Sequence, residues 1–287
     1  MATFTTAQTG DLQMDLILSV VQEELIRKAK LRPTIMDLSS RVSKGDQQVE
    51  VPRYDTHFAD PADQNPDGVT ATTAQTVNFT TDVIALDKWK TLNYEIPDRI
   101  SIQSRVNLEA ELAASAGRTF GKYMDDEIIT SLKGASAAAP DHIQQLSGGT
   151  NDQITLADIS KAGQLLDEAD VSDSDRFLLV SPKQSKHIID LDDFHNADKY
   201  GSRDALLNGE VGQIYGFRVI KHNGLGQDEA IAYQREAVAM AVQKEMKFET
   251  RRANLGLQKT EYAFSMGWGL TVMEQGVKQV LFNATGA

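Results

Sequence analysis

Residues 59–76 (ADPADQNPDGVTATTAQT) contain a single branched aliphatic side chain, Val69, in an otherwise well-patterned chain. Such a segment cannot bury itself, because it has almost nothing apolar to bury. The chain on either side alternates as strands do. Val49 and Val51 alternate with Gln48 and Glu50 until Pro52 interrupts, which reads as an exposed or edge strand. Leu92, Tyr94 and Ile96 alternate with Asn93 and Glu95 on the returning side. Residues 47–97 therefore read as a long two-stranded ribbon leaving the body. A polar excursion of this length marks a projecting loop, and an isolated ribbon is marginal in water unless something outside it holds it.

The rest of the chain reads as ordinary core. Leu12, Leu16, Val20 and Leu18, Val21, Leu25 follow helical spacing, giving an amphipathic helix to about Lys30 within an N-terminal arm, residues 1–46. From Ser101 to Lys133 the pattern is helical again, at Leu108, Leu112, Ala116, Phe120, Tyr123, Met124, Ile128 and Leu132. About 30 residues at ~1.5 Å each predict a rod of ~45 Å. Gly134 and the stretch ASAAAP (135–140) are expected to end it.

Residues 151–243 read as a separate α/β lobe. Thr155, with Asp158 three residues on, forms a capping box for a helix through Ile159, Leu165 and Leu166. Phe177–Val180 reads as a buried strand closed by Ser181 and Pro182, and Lys186–Leu191 as a short helix. Further strands are expected at Phe217–Ile220 and Glu236–Val242, then at Met246–Phe248, Tyr262–Phe264, Leu270–Val272 and Val280–Phe282. Glycines 267, 269 and 276 mark bends or close backbone approaches around Trp268. The fold class is α+β.

Composition removes several chemistries. There is no cysteine among the 287 residues, hence no disulfide, thiolate ligand or thiol nucleophile. A net charge of −12 lacks the clustered Lys and Arg of a nucleic-acid reader. The longest early apolar run, Leu16–Val21, is bracketed by Asp15, Glu23 and Glu24, far short of the ~20 residues that span a membrane. No basic residue precedes Arg27, so the expected setting is the cytoplasm. The histidines (57, 142, 187, 195, 222) show no metal-ligand spacing, and His187 and His195 with Asp190, Asp192 and Asp193 read as a polar loop. Asp170–Asp175 fails as a calcium loop, with Asp175 where glycine is needed and Ser181 where a bidentate glutamate is needed. Asn223-Gly224-Leu225-Gly226 is a turn and not a phosphate cradle. The excess of acids over 151–200, 11 against 5 bases, reads as a solvated face. No catalytic, cofactor-binding or metal residue is assigned, and no cofactor is expected.

The order of parts, arm, polar ribbon, long helix, α/β lobe and returning strand, resembles the tailed-bacteriophage major capsid proteins of the Hong Kong 97 fold, which encapsulin shells share. Three stretches carry the likeness. DKWKTLNYEIPDRI (87–100) is similar to the family's return strand, RFLLVSPKQSKHIIDL (176–191) to its axial-domain strand, turn and helix, and GEVGQIYGFRVIKHNGL (209–225) to its G-x-I-x-G-F-x-V loop and strand.

The resemblance implies an extension loop at 47–97, a peripheral domain from 98–150 with the spine helix at 103–133, and an axial domain at 151–243. Residues 244–287 would supply peripheral strands, with 273–287 returning to the axial domain. It implies a non-enzymatic coat protein that self-assembles into pentamers and hexamers of an icosahedral head enclosing double-stranded DNA. Expected partners are further copies, a separate scaffolding protein, a portal protein and a possible decoration protein, with the virion assembled in the host cytoplasm. Some relatives crosslink a loop lysine to a peripheral asparagine with a glutamate assisting, for which Lys88, Lys90 and Asn254 are the positions to inspect. The alternatives are an encapsulin-like compartment and an acidic α/β enzyme using carboxylates.

Overall fold

The computed structural model describes residues 21–25, 29–54, 79–99, 108–136, 142–149, 152–190, 212–252, 258–273 and 278–286. The polar segment 59–76, the helix expected before Val21 and the start of the long helix before Leu108 lie outside them.

Two sheets and a ribbon organise these residues. The first sheet has the order β1-β10-β11-β4, from Met36–Asp37, Val238–Arg252, Lys259–Val272 and Lys88–Pro97. β10 and β11 form a long antiparallel pair, with register shifts between Val242 and Lys244 and between Lys244 and Lys247. The strands expected at Glu236–Val242 and Met246–Phe248 are thus parts of one strand, and Tyr262–Phe264 and Leu270–Val272 parts of the next. Breaks in apolar alternation at Lys244 and Gly267 disguise this continuity. β11 runs straight through Gly267 and Gly269, so neither is a bend.

The long helix α1 spans Leu108–Ser136 and packs on this sheet. Its buried face is Ala113, Ala116, Phe120, Met124, Ile128, Ile129 and Leu132, at three- and four-residue spacing, set against Met240, Phe264, Met266 and Trp268. Leu112 and Tyr123 are only half-buried at its margins. Gly134 does not end the helix. Burial of Ala135 and the donation of Gln279 Nε2 to the Leu132 carbonyl hold the last turn in place.

The second sheet has the order β5-β12-β9-β6-β8-β7, from Ile143–Gln145, Val280–Asn283, Ala230–Gln234, Arg176–Val180, Phe217–Lys221 and Gln213–Ile214. Helix α2 (Leu156–Glu168) starts at the Thr155–Asp158 capping box: the Asp158 N–H donates to Thr155 Oγ1 at 3.3 Å and Thr155 N–H to Asp158 Oδ2 at 2.9 Å. Helix α3 (Pro182–Ile189) is capped by Ser181. β5 and β12, at one side of the sheet, come from before and after 151–243, and Val280–Asn283 does return to it, pairing with β5 and β9. Residues 238–242 belong to the first sheet. β9, buried along its whole length, is among the strands that sequence reading missed: AIAYQ is too short a run to separate from a loop.

The ribbon pairs β2 (Gln48–Tyr54) with β3 (Phe79–Ala85), from Gln48↔Ala85 to Tyr54↔Phe79. Its returning half is therefore Phe79–Ala85. Lys88–Pro97 pairs instead with β11, where Leu92, Tyr94 and Ile96 face the helix. Period-two alternation identifies a strand and its buried face but not its partner.

Candidate functional site

The candidate site is the machinery that positions the ribbon and joins the two sheets. At the ribbon's root, Val49, Ile84 and Leu86 pack on Leu38, Ala239 and Ala241. The Leu86 N–H donates to the Gln47 carbonyl at 3.0 Å, and Gln243 Nε2 donates to the Asp46 carbonyl at 2.5 Å. Gly269 allows the crossing, since a Cβ there would sit 2.2 Å from the Ala85 carbonyl oxygen. A few apolar side chains and one backbone crossing fix where the ribbon leaves.

Halfway along α1 lies a denser junction. Asp125 is fully buried. Its Oδ1 accepts from the Leu31 N–H at 3.1 Å, and its Oδ2 from the Lys30 N–H at 3.0 Å and from His222 Nε2 at 3.1 Å. His222 Nδ1 accepts the Gly224 N–H at 2.9 Å, which assigns the proton of the neutral ring to Nε2. One carboxylate thus holds the arm and the turn after β8 onto the long helix. Gly224 lies so close to the helix that a Cβ would meet Ile129 Cδ1 at 2.7 Å. Beside this, Tyr233 OH and Thr34 Oγ1 are 2.7 Å apart, and burial raises the Tyr233 phenol far above its ordinary range. Lys133 Nζ reaches Glu229 Oε2 at 2.5 Å, a second tie between helix and lobe.

On the opposite flank Lys88 Nζ donates to Glu127 Oε2 at 2.5 Å, and Lys90 Nζ lies 4.8 Å from the Tyr123 ring centroid. Burial pushes the Glu127 carboxyl up, but the hydrogen bonds from Lys88 and Tyr123, with the lysine charges, outweigh it, so the net shift is downward. The two lysines considered for crosslinking therefore sit on β4 against the helix and not on the ribbon. Asn254 is outside the described residues.

The remaining candidates separate. Among the described residues no group of three His, Asp or Glu side chains could hold a metal ion. His187 lies on α3, and His195 is outside the described residues. The acidic loop around Asp170–Asp175 surrounds a guanidinium instead: Arg176, 7% exposed, reaches Asp167 at 2.7 Å, Asp173 at 2.9 Å and the carbonyls of Val171 and Ser172 at 2.5 and 3.0 Å. Residues 223–226 form a turn, as expected. Sequence reading overlooked Asp125, whose signal was an acid immediately after Met124 on the buried stripe. It also overlooked Trp89 and Tyr215, 55% and 61% exposed.

No described helix is long and apolar enough to cross a membrane. The fold is that of phage shells. The chain is similar to the capsid structure of cyanophage Pam1 at a TM-score of 0.71 and 12% identity, over 91% of this chain and 93% of that one. It is similar to a structure from Mycobacterium phage Che8 at 0.66 and 19% identity, over 84% and 86%. It is also similar to a virus-like particle from Pyrococcus furiosus at 0.62 and 12% identity, over 94% and 99%. At these identities the likeness establishes the Hong Kong 97 fold alone. No curated protein sequence matches. The family match is made on sequence and covers residues 27–275, spanning the arm, ribbon, long helix and both sheets. By that match the chain belongs to the phage capsid protein family.

Proposed function

We propose that this capsid protein is the major subunit of an icosahedral phage head, assembling as pentamers and hexamers around double-stranded DNA. The observation that carries this reading is the ribbon. Its described packing on the body is made by Val49, Val51, Ile84 and Leu86 at the root, and its sequence from 59 to 76 offers one branched aliphatic side chain, so its ordering has to come from a neighbouring subunit. A −12 chain also suits a wall that holds DNA without gripping its phosphates.

In this reading residues 1–46 are the arm and 47–97 the extension loop, whose last ten residues rejoin the sheet under the long helix. The long helix with the sheet of β1, β10, β11 and β4 builds the peripheral domain, and the second sheet, in which β5 and β12 join strands from residues 151–237, the axial domain. A separate scaffolding protein belongs to this reading. A portal, a possible decoration protein and assembly in the host cytoplasm complete the proposal. The mechanism is geometric: many modest interfaces repeated by symmetry, with no bond chemistry at any described residue.

Electron microscopy of the purified chain, alone and co-expressed with a scaffold, tests this. Closed shells containing DNA are expected from infected cells. A chain that stays monomeric in both settings contradicts the proposal, and shells packed with a cargo enzyme would favour the compartment alternative.

A further inference from the structure

β7 and β8 are joined by two residues, since Ile214 pairs with Phe217 and Gln213 with Arg218. Those two residues, Tyr215 and Gly216, have φ of 46° and 83°. Two successive positive φ values make a type I′ turn, whose first position favours Asn, Asp or Gly because a Cβ is crowded there. Gly216 suits its place. Tyr215 does not, and a bulky residue in this backbone region is an outlier that the local rules of hairpin formation do not explain.

Among the described residues the side chain stays largely in solvent. Tyr215 is 61% exposed, the most exposed large hydrophobic among the described residues. Its neighbours behave oppositely: Ile214 and Phe217 are buried in the lobe's core, so the strained turn stands on a rigid base. Strain retained at a rigid, exposed aromatic is the pattern of a site kept for what it touches. Charge indicates what that is. Residues 212–221 carry Arg218 and Lys221, both exposed, and no acid, in a chain whose net charge is −12. The exposed bases of β8, next to the edge strand of its sheet, complement the acidic surface of another copy.

We infer that Tyr215 anchors a contact between the β7–β8 hairpin of one subunit and a second copy of the chain. This rests on the shell reading above. Tyrosine brings a large amphipathic contact area and few rotatable bonds, which is why it is enriched where binding energy concentrates.

The test compares the full chain with Tyr215→Asn and Tyr215→Phe, by thermal melting at low concentration and by sedimentation over a concentration series. Tyr215→Asn is expected to melt about 2–4 °C higher, because asparagine suits the turn, while its self-association weakens about ten-fold or more. Tyr215→Phe keeps both strain and ring and should match the parent in both readouts. Association of Tyr215→Asn equal to the parent's overturns the role of Tyr215, and a lower melting temperature for that variant overturns the strain on which the inference stands. A parent chain that stays monomeric at every concentration contradicts the shell reading itself and this inference with it.

Discussion

Along the second half of α1 the arm, β4, the turn after β8 and the segment before β12 all converge on one helix, tied by a buried carboxylate and packed into one apolar cluster. The ribbon is the reverse. Two strands leave a root of a few side chains, and the sequence beyond has no core to offer. The first region is built to hold one arrangement within a subunit, and the second to be completed by something outside it. A shell subunit needs both, because repeated interfaces demand a fixed body and an arm that is useful only in company.

Breaking the dense side should cost most. Met124→Asp places an unpaired charge at a site 1% exposed and should destabilise by more than about 4 kcal/mol, giving insoluble chain on expression. Leu112→Asp, at the half-buried margin of the same helix, should be milder by at least about half. Comparing their soluble yields checks which face of α1 is the core.

Asp125→Ala leaves the Lys30 and Leu31 N–H groups and His222 without their acceptor, for about 3 kcal/mol. Chemical denaturation should show the loss, and limited proteolysis should cut the arm before the lobe.

Gly269→Ala sharpens the contrast from the ribbon's side. The new Cβ would press on the Ala85 carbonyl, costing about 1–3 kcal/mol by a local shift of the root. Its effect on shell yield should exceed its effect on melting, since the redirected ribbon matters most to a neighbour.

The smallest effect is electrostatic. Lys88→Met should cost about 0.5–1 kcal/mol, as its pair with Glu127 is partly exposed and screened. The folded Glu127 pKa lies below its unfolded value. The pair's contribution is therefore complete above the unfolded pKa and fades as pH falls through the folded one. Melting curves of parent and variant should converge in acid.

Much of this was legible in the chain because the period of its apolar residues was strong. The long helix, the Thr155–Asp158 cap, the strand Phe177–Val180 and the polar excursion each follow from local pattern. Partners were not legible. Leu92, Tyr94 and Ile96 announced a strand with one buried face, and only tertiary packing decided that it joins β11 and leaves β3 to close the ribbon. The junction was obscured for a related reason: in Asp125-Asp126-Glu127 three acids look like one solvated face. The fold sends the first inward to the arm and the third to Lys88. Tyr215 was hidden because a positive φ is a property of the turn and not of the residue that occupies it.

The central claim is that residues 59–76 serve the assembly and not the subunit. Deleting them and measuring both the melting temperature of the monomer and the yield of closed shells tests it most directly. An unchanged melting temperature with no shells is the predicted result. Normal shells from the deleted chain, or a fall of several degrees in melting, would contradict it.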